Sequence, residues 1–278
     1  MFIDFHTHVF PDDLAPRAIE SLKKMAENGT GKKDAMTAYV DGTLSALKGS
    51  MEHAGIDACV VLPVCTRPEQ FDSVNRFAAE INGKDGIYAF GGIHPDSDRI
   101  DEKLETIKEM GLYGVKLHPA YQGRTIDDKK YVKIVKKCLK LGLHVIFHCG
   151  YDVAFPGTGT DDAERFEKAY SSILNKYGSE DGAQIILAHA GGLTTVEQTL
   201  DHLCGMPIYL DLALALEAVK TDNLMRLIRT HGADRILFGT DSPWSSQRKS
   251  KERLASLPIS KAEYEMISGE NAKKILKF

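Results

Sequence analysis

Eight short segments of the chain are apolar or β-branched almost without interruption, and each is followed by a stretch with helical spacing. The segments are Phe2–Val9, Ala58–Val64, Ile87–Ile93, Gly114–His118, His144–Cys149, Gln184–Ala190, Pro207–Leu212 and Arg235–Asp241. Continuous runs of Val, Ile, Leu and Phe are expected of strands buried on both faces, as in parallel sheets. Between them, apolar residues recur on one helical face and stop at a glycine. Leu44, Leu47, Met51 and Ala54 precede Gly55, and Leu104, Ile107 and Met110 precede Gly111. Val132, Val135 and Leu139 precede Gly142, and Leu224, Leu227 and Ile228 precede Gly232. Glycine just beyond the last periodic residue is a helix stop.

Eight strand–helix units in alternation predict a (β/α)8 TIM barrel. A doubly wound sheet shares the alternation, but no glycine-rich phosphate fingerprint follows the first strand. The length of 278 residues suits one such barrel as a single domain over residues 1–278. Three connections are longer than a bare barrel needs: Phe10–Gly42, with an extra helix expected over Ala15–Asn28, then Tyr151–Ala163 and Ser242–Pro258. All three leave the C-terminal ends of strands, the face on which barrel enzymes carry their sites.

Composition narrows the field of functions. The chain is 43% hydrophobic and 27% charged with a net charge of −4, and its charges are interspersed. Nucleic-acid binding needs a clustered basic face, which this pattern lacks. No apolar run approaches the roughly 20 residues of a membrane span, and no secretory leader precedes the first strand, so a cytoplasmic protein is expected. The five cysteines contain no Cys-x-x-Cys pair and read as buried thiols.

The chemistry collects at the strand ends. His6 and His8 stand at i and i+2 in the first strand, a spacing that sends both imidazoles to one face. His94 directly follows the third segment, Lys116 and His118 lie at the end of the fourth, His148 of the fifth, His189 of the sixth and Asp241 of the eighth. Any one of these alone reads more readily as a satisfied core or loop residue. Together they converge on one end of a barrel axis. Three imidazoles and a carboxylate make a plausible zinc set, and zinc lowers the pKa of bound water toward about 7. Asp241 could accept the proton of such a water, and His189 could take or relay it.

The ordered motifs FHTH, GVKLHP, IFHCG, LAHAGG and LFGTDSPW resemble those of the amidohydrolase superfamily of metal-dependent hydrolases. They are most similar to the branch containing aminocarboxymuconate semialdehyde decarboxylase. The resemblance runs from residue 2 to the last helix. It implies His6, His8, His148 and Asp241 as ligands of a divalent metal, usually zinc, with His189 acting beside it or binding a second ion. In binuclear members a fourth-strand lysine carries a bridging carbamate. An unmodified Lys116 is favoured here, because the decarboxylase branch is mononuclear, so one zinc per chain is expected and a second is the rival arrangement.

Lys116, His118, Arg67, His94, Tyr121, Tyr151 and Trp244 are the candidate substrate wall. Arg67 or Arg124 could hold a carboxylate as a bidentate pair, and the aromatics suit a planar or apolar molecule. Solvated or merely packing roles are equally open to them. The expected activity is hydrolysis of a C–N or C–O bond in a small organic molecule by metal-activated water. The alternative is a lyase, decarboxylating or hydrating an unsaturated or aromatic carboxylic acid, and a non-catalytic binding barrel is a distant third. The expected partner is a small molecule, a carboxylic acid among the candidates, and a homodimer is the candidate assembly.

Overall fold

The computed structural model describes residues 1–179 and 181–277. Its eight strands follow the eight apolar segments, each shorter than the segment itself. They are β1 (Ile3–Thr7), β2 (Ala58–Val61), β3 (in two pieces, Ile87–Ala89 and Gly91–Gly92), β4 (Gly114–Leu117), β5 (His144–Phe147), β6 (Ile185–Leu187), β7 (Tyr209–Asp211) and β8 (Ile236–Leu237). All pair in parallel and in chain order. The first half of β3 pairs with β2 and the second half with β4, and Phe90 between them donates its amide to Val61 O at 3.0 Å. The ring closes where β1 meets the chain leaving β8. There Phe5 N donates to Phe238 O at 2.9 Å, Asp241 N to His6 O at 2.8 Å and His8 N to Ser242 O at 2.6 Å. The fold is a (β/α)8 barrel.

Period-2 alternation sorts the strand residues into two layers. Cys59, Val61, Val115, Leu117, Val145, Phe147, Ile185 and Leu187 pack with helix residues such as Leu47, Ile107 and Ile134 in the outer layer. Ile3, Phe5, Val60, Phe90, Ile146, Ile186 and Leu237 form the inner one, together with Ile275 and Leu276 of the last helix. Lys116, between Val115 and Leu117, therefore faces inward.

β1 breaks this rule at an informative place. Asp4, between the inward Ile3 and Phe5, reaches the opposite way, accepting from Gln247 Nε2 at 2.8 Å beside Cys59. Strict alternation would send His6 after it. The pairing of β1 with β2 instead shifts register between Asp4 and Thr7, and such an irregularity re-aims a side chain. His6 turns inward to Lys116 and Asp211. Gly239 gives it room, since a Cβ there would lie 2.9 Å from His6 Cβ.

The long connections differ in content. The extra helix after β1 runs Ala15–Thr30 and ends on Gly31 in the left-handed region at φ 67. Residues 242–258, expected as a loop, contain the helix Gln247–Ala255, opened by the Ser246 side chain accepting from Lys249 N. Its residues are mostly charged, so no apolar periodicity announced it. The β5 connection stays irregular until the helix Asp162–Tyr177.

Asp4 ties this framework to the loop after β8. Fully buried, it accepts from Thr240 Oγ1 at 2.6 Å, Thr240 N at 3.0 Å, Gln247 Nε2 at 2.8 Å and His6 N at 3.2 Å. Burial pushes its carboxyl up to about 7 while these four donors pull the other way. Removing the carboxylate leaves buried donors without a partner, at roughly 1–3 kcal/mol for each unsatisfied group. Asp4→Ala is expected to cost at least about 3 kcal/mol in urea unfolding; a loss below about 1 kcal/mol would show that the donors find other partners.

Candidate functional site

The residues at the C-terminal ends of β1, β4, β5, β6, β7 and β8 meet in one cluster. At its centre are His6 and His8. His6 Nδ1 bonds Asp211 Oδ2 at 2.8 Å, and His8 Nδ1 bonds the carbonyl of Leu62 at 2.7 Å. Both partners are acceptors, so each ring carries its proton on Nδ1 and presents a bare Nε2. The two Nε2 atoms lie 3.2 Å apart. Asp241 Oδ1 lies 3.2 Å from the first and 3.0 Å from the second. Two lone pairs and a carboxylate oxygen thus crowd one point with no hydrogen of their own to share. That arrangement fits a cation.

Electrostatics agree. Burial, then the nearby Lys116, pushes His6 well below the usual imidazole range. Burial raises Asp241, but protonated His8, His6 and His189 would outweigh it and hold the carboxyl at about 2; with both Nε2 atoms bare, a cation among them takes that part. Asp241 also has a left-handed backbone, φ 70, which aspartate tolerates better than most residues. Its amide bonds His6 O, so the carboxylate is anchored to the same strand as the histidines.

A second histidine group adjoins the first. His189 Nε2 and His148 Nδ1 are 3.0 Å apart, and His189 Nδ1 bonds Ala213 O at 3.1 Å. The His6 and His189 ring centroids are 5.0 Å apart, and those of His148 and His189 are 4.6 Å apart. His148 Nε2 is buried without a hydrogen-bond partner. Beyond it His118 stacks on His148 at 4.0 Å and 11°, with its Nε2 3.6 Å from Asp152 Oδ2. Donor atoms of His118, His148 and Asp152 are near enough together to bind an ion, as are those of His6, His8 and Asp241. The parallel stack nevertheless aims its in-plane lone pairs side by side and not at a common point. The first trio is the better cation cage. His148, expected as a further ligand, meets this trio through His189.

Lys116 is 1% exposed, with Nζ 3.4 Å from His6 Nε2. Burial lowers its pKa to about 8, with Asp211 and Asp241 pulling upward. Tyr121 sets its ring edge against His118 at 4.5 Å and against Phe155 at 4.9 Å.

The rest of the expected wall is joined to the cluster less directly. Arg67 is exposed, and Arg124 is paired with Asp96 and Asp128. His94 Nδ1 accepts from Asp96 N at 3.1 Å. Tyr151 and Trp244 are half-buried on their loops, and the Trp244 amide bonds Asp241 O at 2.8 Å. Among the described residues, no hydrogen bond or ion pair joins Arg67, His94 or Tyr151 to the cluster. Cys149 is buried with its thiol pushed up by burial, which does not suit a nucleophile. Asp4, Asp152 and Asp211 enter the site or its supports although the apolar pattern gave them no role. Asp211 had a signal: it is the one charged residue in its segment, at the strand end where the other strands carry their ligands.

The amidohydrolase family profile matches residues 3–278. No curated protein matches the sequence. Solved structures of like fold include 2,6-dihydroxybenzoate decarboxylase complexed with 2,6-dihydroxybenzoate, at TM-score 0.74 and 16% identity over 100% of this chain and 99% of that one. A dihydroxybenzoic acid decarboxylase from Polaromonas, with bound manganese and the inhibitor 2-nitroresorcinol, matches at 0.73 and 17% over 99% and 96%. The 5-carboxyvanillate decarboxylase of Sphingomonas paucimobilis matches at 0.67 and 14% over 100% and 99%. These likenesses bear on the fold, and the profile on descent: the chain belongs to the amidohydrolase family and is an enzyme of that family.

Proposed function

We propose that this enzyme is a divalent-metal-dependent decarboxylase of a small aromatic or unsaturated carboxylic acid. The observation that carries the metal is the meeting of His6 Nε2, His8 Nε2 and Asp241 Oδ1 within 3.2 Å of one another. Support for the reaction class comes from structures aligned over nearly their whole chains that are decarboxylases of aromatic acids. This favours the lyase over the hydrolysis that the sequence put first. Hydrolysis of a C–N or C–O bond by the same centre is the rival outcome. Manganese in one relative widens the choice of ion beyond the zinc expected from the sequence, and one ion per chain is the proposed count.

His6, His8 and Asp241 would hold the ion, and His148, whose Nε2 is buried without a hydrogen-bond partner, is the candidate fourth ligand. When bound, the cation supplies a Lewis acid that orients the acid and stabilises developing negative charge. The remaining work falls to the chain. Arg124 is occupied by two aspartates, so Lys116 is the buried cation left beside the centre to attract a carboxylate. Tyr121, Phe155 and the His118–His148 stack give flat surfaces for a planar substrate. Loss of CO2 exchanges a C–C bond for a C–H bond, so one proton must reach the carbon. Asp241, ionised at rest, would take that proton from solvent and hand it to the carbon. His189, held by the Ala213 carbonyl, keeps its Nε2 toward the site to relay that proton.

Protein loaded with Mn2+ or Zn2+ is expected to release CO2 from hydroxybenzoates, to lose that activity on chelation, and to regain it on adding metal. Turnover of amides, esters or lactones with no CO2 release from any acid would replace the lyase with the hydrolase. Asp241→Asn should lower turnover by roughly 10²-fold or more, the scale of a lost proton carrier, while circular dichroism shows the barrel intact. Near-normal turnover in that variant would remove Asp241 from the chemistry.

A further inference from the structure

Asp211, at the end of β7, touches both parts of the cluster. It is wholly buried. Its Oδ2 accepts from His6 Nδ1 at 2.8 Å, and its Oδ1 accepts from the amides of His189 and Ala213, each at 3.0 Å. His189 has a left-handed backbone at φ 57 and Ala190 follows at φ 58, a conformation that persists only where surroundings enforce it. The Asp211 bond to the His189 amide is one such constraint.

We propose that Asp211 is the positioning residue of the metal centre: it fixes His6 as the Nδ1-protonated tautomer, so that Nε2 faces the ion as a lone pair. The inference rests on the metal reading above. Donor atoms of Asp211, His6 and His189 are near enough together to suggest that Asp211 is itself a ligand. Its hydrogen bonds argue otherwise, because both oxygens already accept N–H groups. His8 receives the same tautomer from the Leu62 carbonyl, whereas His6 receives it from a carboxylate. An anionic acceptor also makes the imidazole a more basic ligand, and losing such a partner typically costs 10–100-fold in metal affinity.

Asp211→Asn separates this role from simple packing. The amide oxygen can stay at the Oδ1 position and keep the bonds to His189 and Ala213. The NH2 group then replaces Oδ2 and must donate to His6 Nδ1, which moves the imidazole proton to Nε2. The opposite amide orientation would set NH2 against two backbone N–H groups. Nitrogen-15 spectra of labelled histidines in the metal-free protein report the tautomer, and chelator competition reports Mn2+ affinity.

The expected result is Nδ1–H at His6 in the wild type and Nε2–H in Asp211→Asn, with Mn2+ bound 10–100-fold more weakly by the variant. An unchanged His6 tautomer in the variant overturns the proposal, even if binding weakens, since lost charge alone would weaken it. Affinity within threefold of wild type also overturns it. Should the variant not fold, the wild-type spectrum decides: Nε2–H at His6 refutes the assignment and Nδ1–H supports it. Wild-type protein that binds no Mn2+ would refute the metal reading, while the tautomer shift would still decide what Asp211 does.

Discussion

The site depends on an arrangement that hydrogen-bond acceptors do not adopt for its own sake. Two imidazole nitrogens stripped of hydrogen, and a carboxylate oxygen, face one another across little more than 3 Å. Acceptors at that separation repel, and the repulsion is strong where water is excluded. A positive charge at the centre reverses its sign. Much of the surrounding structure holds the three atoms there. Asp211 and the Leu62 carbonyl fix the tautomers, the irregularity in β1 turns His6 inward, and Asp4 fastens the β8 loop to β1 just before Asp241.

The polar groups around this centre narrow its chemistry. Arg124, one candidate for gripping an acid, is spent on Asp96 and Asp128, while Arg67 stands in solvent. Positive charge near the ligands comes from Lys116, lowered by burial to about 8, and from the proposed ion. A substrate acid would therefore bind close to the ion and not at a separate cationic subsite. That proximity suits a reaction in which the carboxylate is itself transformed. The rings of Tyr121, Phe155, His118 and His148 form one contiguous aromatic group that meets the cluster through His148 and His189.

Much of this was legible in the sequence. Strands buried on both faces announce themselves as unbroken apolar runs, and glycines marked where several helices end; Gly55 and Gly142 indeed adopt left-handed backbones there. The His-x-His pair and the strand-end histidines pointed to a shared centre because strand ends share a rim. Less visible was whatever depends on an exception to the period. His6 faces inward through a register shift that no spacing rule foretells. The helix Gln247–Ala255 is too charged to carry an apolar stripe, and it supplies Gln247 to Asp4. Asp4 and Asp211 each sit singly within apolar strands, and their partners are distant in sequence, at |i−j| of 236 and 205. Whether the centre hydrolyses or decarboxylates was not legible at all, since the same ligands serve both.

The central claim is that one cation unites His6, His8 and Asp241. Its most direct test is anomalous diffraction from crystals of the Mn2+- or Zn2+-loaded protein, recorded on both sides of the metal's absorption edge. One strong peak per chain is expected, about 2.0–2.2 Å from His6 Nε2, His8 Nε2 and an Asp241 oxygen for zinc. Absence of a peak among these atoms from metal-loaded crystals would contradict it. So would two peaks bridged by extra density on Lys116 Nζ, which would make the lysine a carbamate and His189 a ligand.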